Sequence, residues 1–398
     1  MEEPAPVLVY VIAGEDSGDA LASRLMREIA AQSPDPVCFA GIGGSRMTAA
    51  GLEPLFPMAE LSLMGLAEVL PHVPRLLRRI RQAVADILER RPDVLVTVDS
   101  PGFAFRVIAR LRKAGARDLP CVHYVAPQVW AWRPGRAAKV ARLIDHLVAL
   151  LPFEPPYFER VGLPTTFVGH PVIEGGAGAG DGPGFRGRHG LDATRPVLCV
   201  LPGSRRGEVD RLMPIFGEAV DAVRRRSPAL TVVLPAAEGV ADRVAELAET
   251  WTTDVLIVRG EAEKYDAFAA SDIALAASGT VSLELAIAHV PTVIAYRMSP
   301  VTAWLGRRLR LLRVRYVTLV NLLVDRMAMP ECLQEECVPD RLSRELGRLL
   351  DDRTARQAQR EAFDQAVGML SGPGPTPSAA AARVVLEAGH ARRDSRQV

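Results

Sequence analysis

Lysine is nearly missing from this chain. Of its 48 basic residues only Lys113, Lys139 and Lys264 are lysines, a bias that genomic base composition produces by itself. Acids number 47, so the formal charge is +1. That balance excludes the strongly cationic surface of a non-specific nucleic-acid binder. Aromatics are 5% of the residues and seldom interleave with the basic stretches, which argues against a stacking platform for RNA. The five cysteines (Cys38, Cys121, Cys199, Cys332, Cys337) are odd in number and have no CxxC spacing. Reduced thiols in a cytosolic protein fit that pattern better than a disulfide framework or a zinc site. No run of 18 apolar residues occurs, so no segment is expected to span a bilayer. The opening Met-Glu-Glu-Pro-Ala-Pro lacks the basic and apolar regions of a signal peptide.

What remains is ordinary globular composition. The chain has 398 residues, 48% hydrophobic and 24% charged, enough for two independent cores. Short apolar runs alternate with longer amphipathic ones. Strands are expected over Val7–Ala13, Val37–Ile42, Val94–Val98, Cys121–Val125, His146–Leu151 and Thr165–Val168. Helices fall between them, as over Leu76–Arg90 and Phe103–Ala114. Gly175–Gly190 then holds eight glycines in sixteen residues and reads as a flexible linker or a long surface loop. The alternation resumes with strands expected over Val197–Leu201, Thr231–Leu234, Val255–Val258, Ile273–Ala276, Thr292–Ala295 and Thr318–Leu322. Helices are expected over Val209–Arg225 and Ser282–Ala288. The predicted organisation is therefore α/β: a first Rossmann-like domain over 1–172, a linker over 173–194, and a second such domain over 195–345. Helices and a tail with frayed final residues follow over 346–398. Two parallel sheets facing each other across a cleft would bind ligand at the carboxyl ends of their strands.

Six stretches stand at such strand ends. Ala13-Gly14-Glu15-Asp16-Ser17-Gly18-Asp19 follows the first strand. Its glycines allow close backbone approach, but its three acids would repel a pyrophosphate, so sugar hydroxyls are the expected partners. A capped tight turn is the structural alternative. Gly41-Ile42-Gly43-Gly44-Ser45 is a weaker glycine turn of the same kind. Asp99-Ser100-Pro101-Gly102 ends an apolar strand, where the carboxylate can take a proton from an attacking hydroxyl or, equally well on spacing, cap the next helix. His123 through Arg133 carries Gln128 and two of the four tryptophans, and suits a cleft wall or a core; His123 alone favours a structural role. Gly203-Ser204-Arg205 precedes a helix and offers backbone N–H groups, a hydroxyl and a guanidinium to a phosphate. Ser278-Gly279-Thr280 offers donors to a second phosphate, and Glu284 follows within a turn, either near ribose hydroxyls or simply well placed on a helix dipole. No Asp-x-Asp pair or His/Cys/carboxylate cluster has ligand spacing, so neither a metal nor another cofactor is called for.

Two apolar stretches flanked by arginines suit an anionic membrane surface or an acylated anionic substrate. One runs over Leu61–Leu70 toward Arg75, Arg78, Arg79 and Arg81. The other is Val301–Gly306 before Arg307, Arg308, Arg310, Arg313 and Arg315. A core helix with a solvated basic face is the plain alternative for each.

Taken in order, these residues resemble one family. Ala13–Asp19, Gly41–Arg46, Leu63–Leu70, Val98-Asp-Ser-Pro, His123–Arg133, Leu151-Pro-Phe-Glu, Val168-Gly-His-Pro, Leu201-Pro-Gly-Ser-Arg, Ala277–Glu284, Ala295-Tyr-Arg-Met and Gln334-Glu-Glu-Cys are similar to lipid-A-disaccharide synthase. The resemblance implies a GT-B fold and a metal-independent, inverting transfer. In it 2,3-diacylglucosamine passes from UDP to 2,3-diacylglucosamine 1-phosphate, with a β-1,6 link formed and UDP released. It implies peripheral work at the inner face of the inner membrane, without nucleic acid, and is compatible with a homodimer. By matching position Asp99 would be the base and Arg205 the pyrophosphate partner. Gly203, Ser204, Ser278, Gly279 and Thr280 would line the phosphates, and Glu284 the ribose. Glu15, Asp16, Ser17, Gly18, His123 and Gln128 would fall on the acceptor side. Where the family often has Asp-Phe-Asn after Asp-Ser-Pro, this chain has Gly102-Phe103-Ala104. Alternatives are a UDP-sugar 2-epimerase or a transferase to another lipid acceptor in the same fold, or a binding protein without catalysis.

Overall fold

The computed structural model describes residues 6–61, 66–130, 135–298 and 315–397. It divides into two compact units, Met1–Pro171 with Leu370–Val398, and Val172–Met369.

The first unit runs β1 (Val7–Ala13), α1 (Asp16–Gln32), β2 (Val37–Ile42), α2 (Ser45–Ala49), β3 (Leu52–Pro54), α3 (Leu66–Arg90), β4 (Val94–Val98), α4 (Pro101–Lys113), β5 (Cys121–Tyr124), α5 (Arg136–Val140), β6 (His146–Ala149), α6 (Pro155–Glu159) and β7 (Thr165–Phe167). Its seven strands are parallel in the order β3-β2-β1-β4-β5-β6-β7. Strands covered on both faces read as continuous apolar runs, and Val94–Val98 is buried throughout. Along β4, Val94, Val96 and Val98 join the layer under α1, whereas Leu95 joins the layer under α3 and α4.

The second unit runs α7 (Gly182–Arg188), β8 (Val197–Leu201), α8 (Arg206–Arg226), β9 (Thr231–Ala236), α9 (Ala241–Ala248), β10 (Leu256–Arg259), α10 (Glu261–Ala270), β11 (Ile273–Ala277), α11 (Val281–Ile287), β12 (Thr292–Tyr296), α12 (Leu319–Val324), β13 (Glu331–Leu333), α13 (Pro339–Asp351) and α14 (Arg353–Leu370). Its six strands are parallel in the order β10-β9-β8-β11-β12-β13. α8, α9 and α13 cover one face with Leu212, Phe216, Val244 and Leu346. α7 and α10 pack on the other with Phe185 and Ala267. α14 leads to α15 (Pro377–Gln397). This last helix returns to the first unit, where Ala381, Val385 and Leu386 join the core beside α1.

Three expectations are corrected. The glycine-rich stretch is folded, because its glycines serve close packing. Asp181 caps α7 by accepting from the Gly184 N–H at 2.9 Å. A Cβ on Gly180 would stand 2.1 Å from the Tyr265 carbonyl oxygen, and one on Gly182 2.5 Å from that of Ala269. The expected strand over Thr318–Leu322 is instead the helix Leu319–Val324 with Thr318 at its N-cap, and the edge strand is Glu331–Leu333. Buried Asn321 explains this: its Oδ1 accepts from the Ala328 and Met329 N–H groups at 2.9 Å, and its Nδ2 donates to Glu331 at 2.8 Å. Glu331 in turn accepts from the Thr318 N–H at 2.8 Å, satisfying a donor at the helix start. The C-terminal residues are helical through Gln397. Arg392 is 8% exposed, donating to the Pro92 carbonyl and, at 2.8 Å, to Asp118.

Candidate functional site

In each sheet the strand order reverses once, and the loops that leave the two strands there diverge. In the first unit this point lies between β1 and β4. The helix after β1 packs on one face of the sheet and the helix after β4 on the other. Asp99 and Ser100 leave β4 with φ of +50° and +44°, two consecutive non-glycine residues in the left-handed region. The Asp99 N–H donates to the Tyr124 carbonyl at 2.9 Å, tying this turn to β5. Ser100 occupies the N-cap of α4, yet no side chain caps that helix. The carboxylate, half-buried, is thus not spent on the ordinary capping role.

The first glycine turn lies against the neighbouring Ser100. A Cβ on Gly14 would stand 2.5 Å from Ser100 Oγ, so only glycine allows this approach. Gly18 is buried beside Val98, Glu15 is half-buried, and Asp16 and Ser17 are exposed. Asp19 points elsewhere: it accepts from the backbone N–H groups of Gly44, Arg46 and Met47 at 2.7, 3.0 and 3.1 Å. It therefore holds the second glycine turn as the cap of α2, which is the structural use of that acid.

On the next strand, His123 does not join the surface. It is fully buried, its Nδ1 is 2.7 Å from Thr97 Oγ1, and burial lowers its pKa to about 3. A neutral ring inside the sheet layer cannot meet a sugar, which corrects its placement on the acceptor side. Gln128 is exposed on the loop after β5, where Val125 has φ +83°. Trp130 is held by its Nε1–H donating to Glu154 at 3.1 Å. Burial pushes the Glu154 carboxyl up to about 7, although the Leu150 and Leu151 N–H groups also donate to it. Ala131–Pro134 and both apolar stretches' central residues, 62–65 and 299–314, lie outside the described residues.

In the second unit the reversal lies between β8 and β11. Their adjacent ends carry Gly203-Ser204-Arg205 and Ser278-Gly279-Thr280. Gly203 turns at φ +111°. Ser204, Gly279 and Thr280 are exposed. The Arg205 side chain is 63% exposed, 3.6 Å from Glu208. Ser278 spends its N–H on the Ala295 carbonyl, at 3.1 Å. Glu284, on α11, accepts from Lys264 Nζ through both oxygens at 3.0 Å. The Tyr265 hydroxyl lies 3.4 Å away, and its pKa is raised by burial and by this carboxylate.

A lipid-A-disaccharide synthetase family model matches residues 9–372. The chain belongs to that family. It is 55% identical over 381 residues to the lipid-A-disaccharide synthase of Rhodospirillum centenum, covering 96% of this chain and 94% of the relative. It is 51% identical to that of Paramagnetospirillum magneticum, covering 96% and 97%. Among solved structures it resembles the S. aureus MnaA–UDP co-structure, with TM-score 0.62, 15% identity and 95% of each chain covered. It also resembles Acinetobacter baumannii MurG, with TM-score 0.57, 13% identity, and 96% and 100% covered. The fold is accordingly GT-B, with two Rossmann-like α/β domains.

For a member of this glycosyltransferase family, three side chains near the site escaped sequence reasoning. Lys264 and Tyr265 face Glu284 from a helix 20 residues upstream; the rarity of lysine was the only signal for the first. Thr97 is hidden in an apolar strand. No helix of the described residues is long and apolar enough to cross a membrane.

Proposed function

We propose that this chain transfers 2,3-diacylglucosamine from its UDP donor to 2,3-diacylglucosamine 1-phosphate, with inversion, forming the β-1,6 disaccharide and UDP. The observation that carries the reading is Asp99: a carboxylate at the β1/β4 reversal, in a strained turn, left free of capping work. It accepts the proton of the acceptor's 6-hydroxyl as that oxygen attacks the anomeric carbon. One carboxylate suffices because a single displacement forms no covalent intermediate. The UDP that leaves carries growing negative charge. Arg205, Ser204, Gly203 and the Ser278–Thr280 turn stabilise it without a metal, and Glu284 holds the ribose. Glu15, Asp16, Ser17, Gly18 and Gln128 serve the acceptor side.

The exposed Arg75, Arg78 and Arg81 of α3 support peripheral contact with an anionic membrane face, where the acylated substrates reside. Co-sedimentation with anionic but not zwitterionic vesicles checks this contact.

The deciding experiment incubates both substrates with the protein in detergent and excess chelator, and follows products by mass spectrometry. An acylated disaccharide phosphate with stoichiometric UDP is expected, and none with Asp99→Ala. Absence of product from the parent chain, with UDP still bound, would move the reading to another acceptor or to epimerisation.

A further inference from the structure

Beneath the strained turn lies a polar pair that the proposed reaction does not use. Thr97 and His123 are direct cross-strand partners on β4 and β5, and neither is exposed at all. Thr97 Oγ1 and His123 Nδ1 are 2.7 Å apart. Their surroundings are apolar. Leu95 and Cys121, two residues earlier on each strand, belong to the layer under α3 and α4, and the Phe105 ring centroid is 4.7 Å from the imidazole's. The other ring nitrogen, Nε2, has no hydrogen-bond partner among the described residues.

Such a pair is a poor way to make a core stable. Whichever tautomer the ring adopts, one nitrogen is left unsatisfied, so two apolar side chains of similar shape would cost less to bury. What a short, directional bond adds is a fixed stagger between two strands. Two residues beyond it, both strands leave ordinary geometry, at Asp99 with φ +50° and at Val125 with φ +83°. The bonds that hold those turns run from strand to strand. The Asp99 N–H donates to the Tyr124 carbonyl at 2.9 Å, and the Val125 N–H to the Val148 carbonyl at 3.1 Å.

We propose that Thr97 and His123 are positioning residues for Asp99, their hydrogen bond setting the β4–β5 stagger on which the direction of the Asp99 carboxylate depends. The inference rests on the reading of Asp99 as the base. Burial keeps the imidazole neutral at working pH, so the bond is present throughout the range in which the enzyme would operate.

The test uses the full chain with Thr97→Val, His123→Leu, their conservative counterparts Thr97→Ser and His123→Asn, and Asp99→Ala in parallel. The double variant Thr97→Val/His123→Leu is expected to keep the parent's denaturation midpoint or exceed it, whereas Thr97→Val alone should lower it, because it leaves both nitrogens of the buried imidazole without a partner. UDP affinity should be unchanged and KM for both substrates within about two-fold, while kcat falls about 10–100-fold, the scale of a misplaced reacting group. Thr97→Ser and His123→Asn, which keep a polar atom at the bond, should recover most of kcat. The double variant should be no worse than either single one, because both remove one bond. A folded Thr97→Val with parental kcat, beside an inactive Asp99→Ala, overturns the positioning role alone. Turnover surviving in Asp99→Ala overturns the base assignment and this inference with it. Should His123→Leu fail to fold, the nearly isosteric Thr97→Val still decides.

Discussion

Left-handed backbone at Asp99 and Ser100 costs about 1–2 kcal/mol per residue, which neighbouring structure must offset. Asp99→Asn keeps the shape and removes the basicity, so kcat should fall about 10²–10⁴-fold with UDP affinity intact, as turnover and calorimetry on one preparation would show. Arg205→Ala acts at the other end of the reaction. With its side chain reaching into solvent, the guanidinium is available to a diphosphate, and its loss should weaken UDP binding by about 1.5–3 kcal/mol. An unchanged dissociation constant would remove the phosphate cradle from the proposal. Two histidines, His123 fully buried and His170 half-buried, make a prediction about pH. Burial lowers the pKa of His123 to about 3 and of His170 to about 4, both below the unfolded value near 6.5. Between those values the unfolded chain binds protons that the folded chain does not. Stability therefore declines as pH falls below about 6.5, by at most about 1.4 kcal/mol per pH unit for each histidine. Urea midpoints from pH 7 to 4.5 would show this slope, and His123→Asn should flatten it.

Helix α2 has five residues and depends on one side chain from elsewhere. Asp19→Ala would leave three backbone donors without their acceptor, at a cost of about 3 kcal/mol in urea denaturation, and would loosen the Gly43–Ser45 turn. An acid after a strand and before a helix reads equally as cap or ligand group, so the sequence could not distinguish Asp19 from Glu15 or Asp16. Elements made by long apolar or amphipathic runs were legible: β1, β4, β8 and α8 fall where periodicity puts them. Elements made by distant polar contacts were not. α12 exists because Asn321 and Glu331, ten residues apart, satisfy its ends, whereas its apolar run reads as strand. α7 escaped because glycine signals freedom in a sequence, while here it lets the backbone lie against α10. The position of the candidate site's loops at strand ends was legible; the Lys264–Glu284 pair, which spans two helices, was not.

At the scale of the molecule, the two units are built differently. The second is one continuous stretch of chain, whereas the first takes in residues from both sides of it. The segments that cross between them are joined: the His170 N–H donates to the Leu370 carbonyl at 2.9 Å, and Gly169 bridges Ser371. α15 supplies Ala381, Ala382 and Val385 to the layer that covers β1 and β4. A chain ended after residue 370 should expose that layer. Its first unit should then become protease-sensitive, while UDP binding, confined by the proposal to the second unit, persists. Loss of UDP affinity in the truncated chain would mean that the two units do not fold independently.

The return of α15 also bears on how the protein is made. During translation the first half of the sequence leaves the ribosome with the α1 side of its sheet incompletely covered. The entire second unit is synthesised before the helix that finishes the first unit exists. The unit encoded second is thus the first that can complete its core. In the interval the nascent chain presents apolar sheet surface to whatever else is nearby, so a chaperone or a slow step late in synthesis would matter more here than in a protein whose domains follow one another in order.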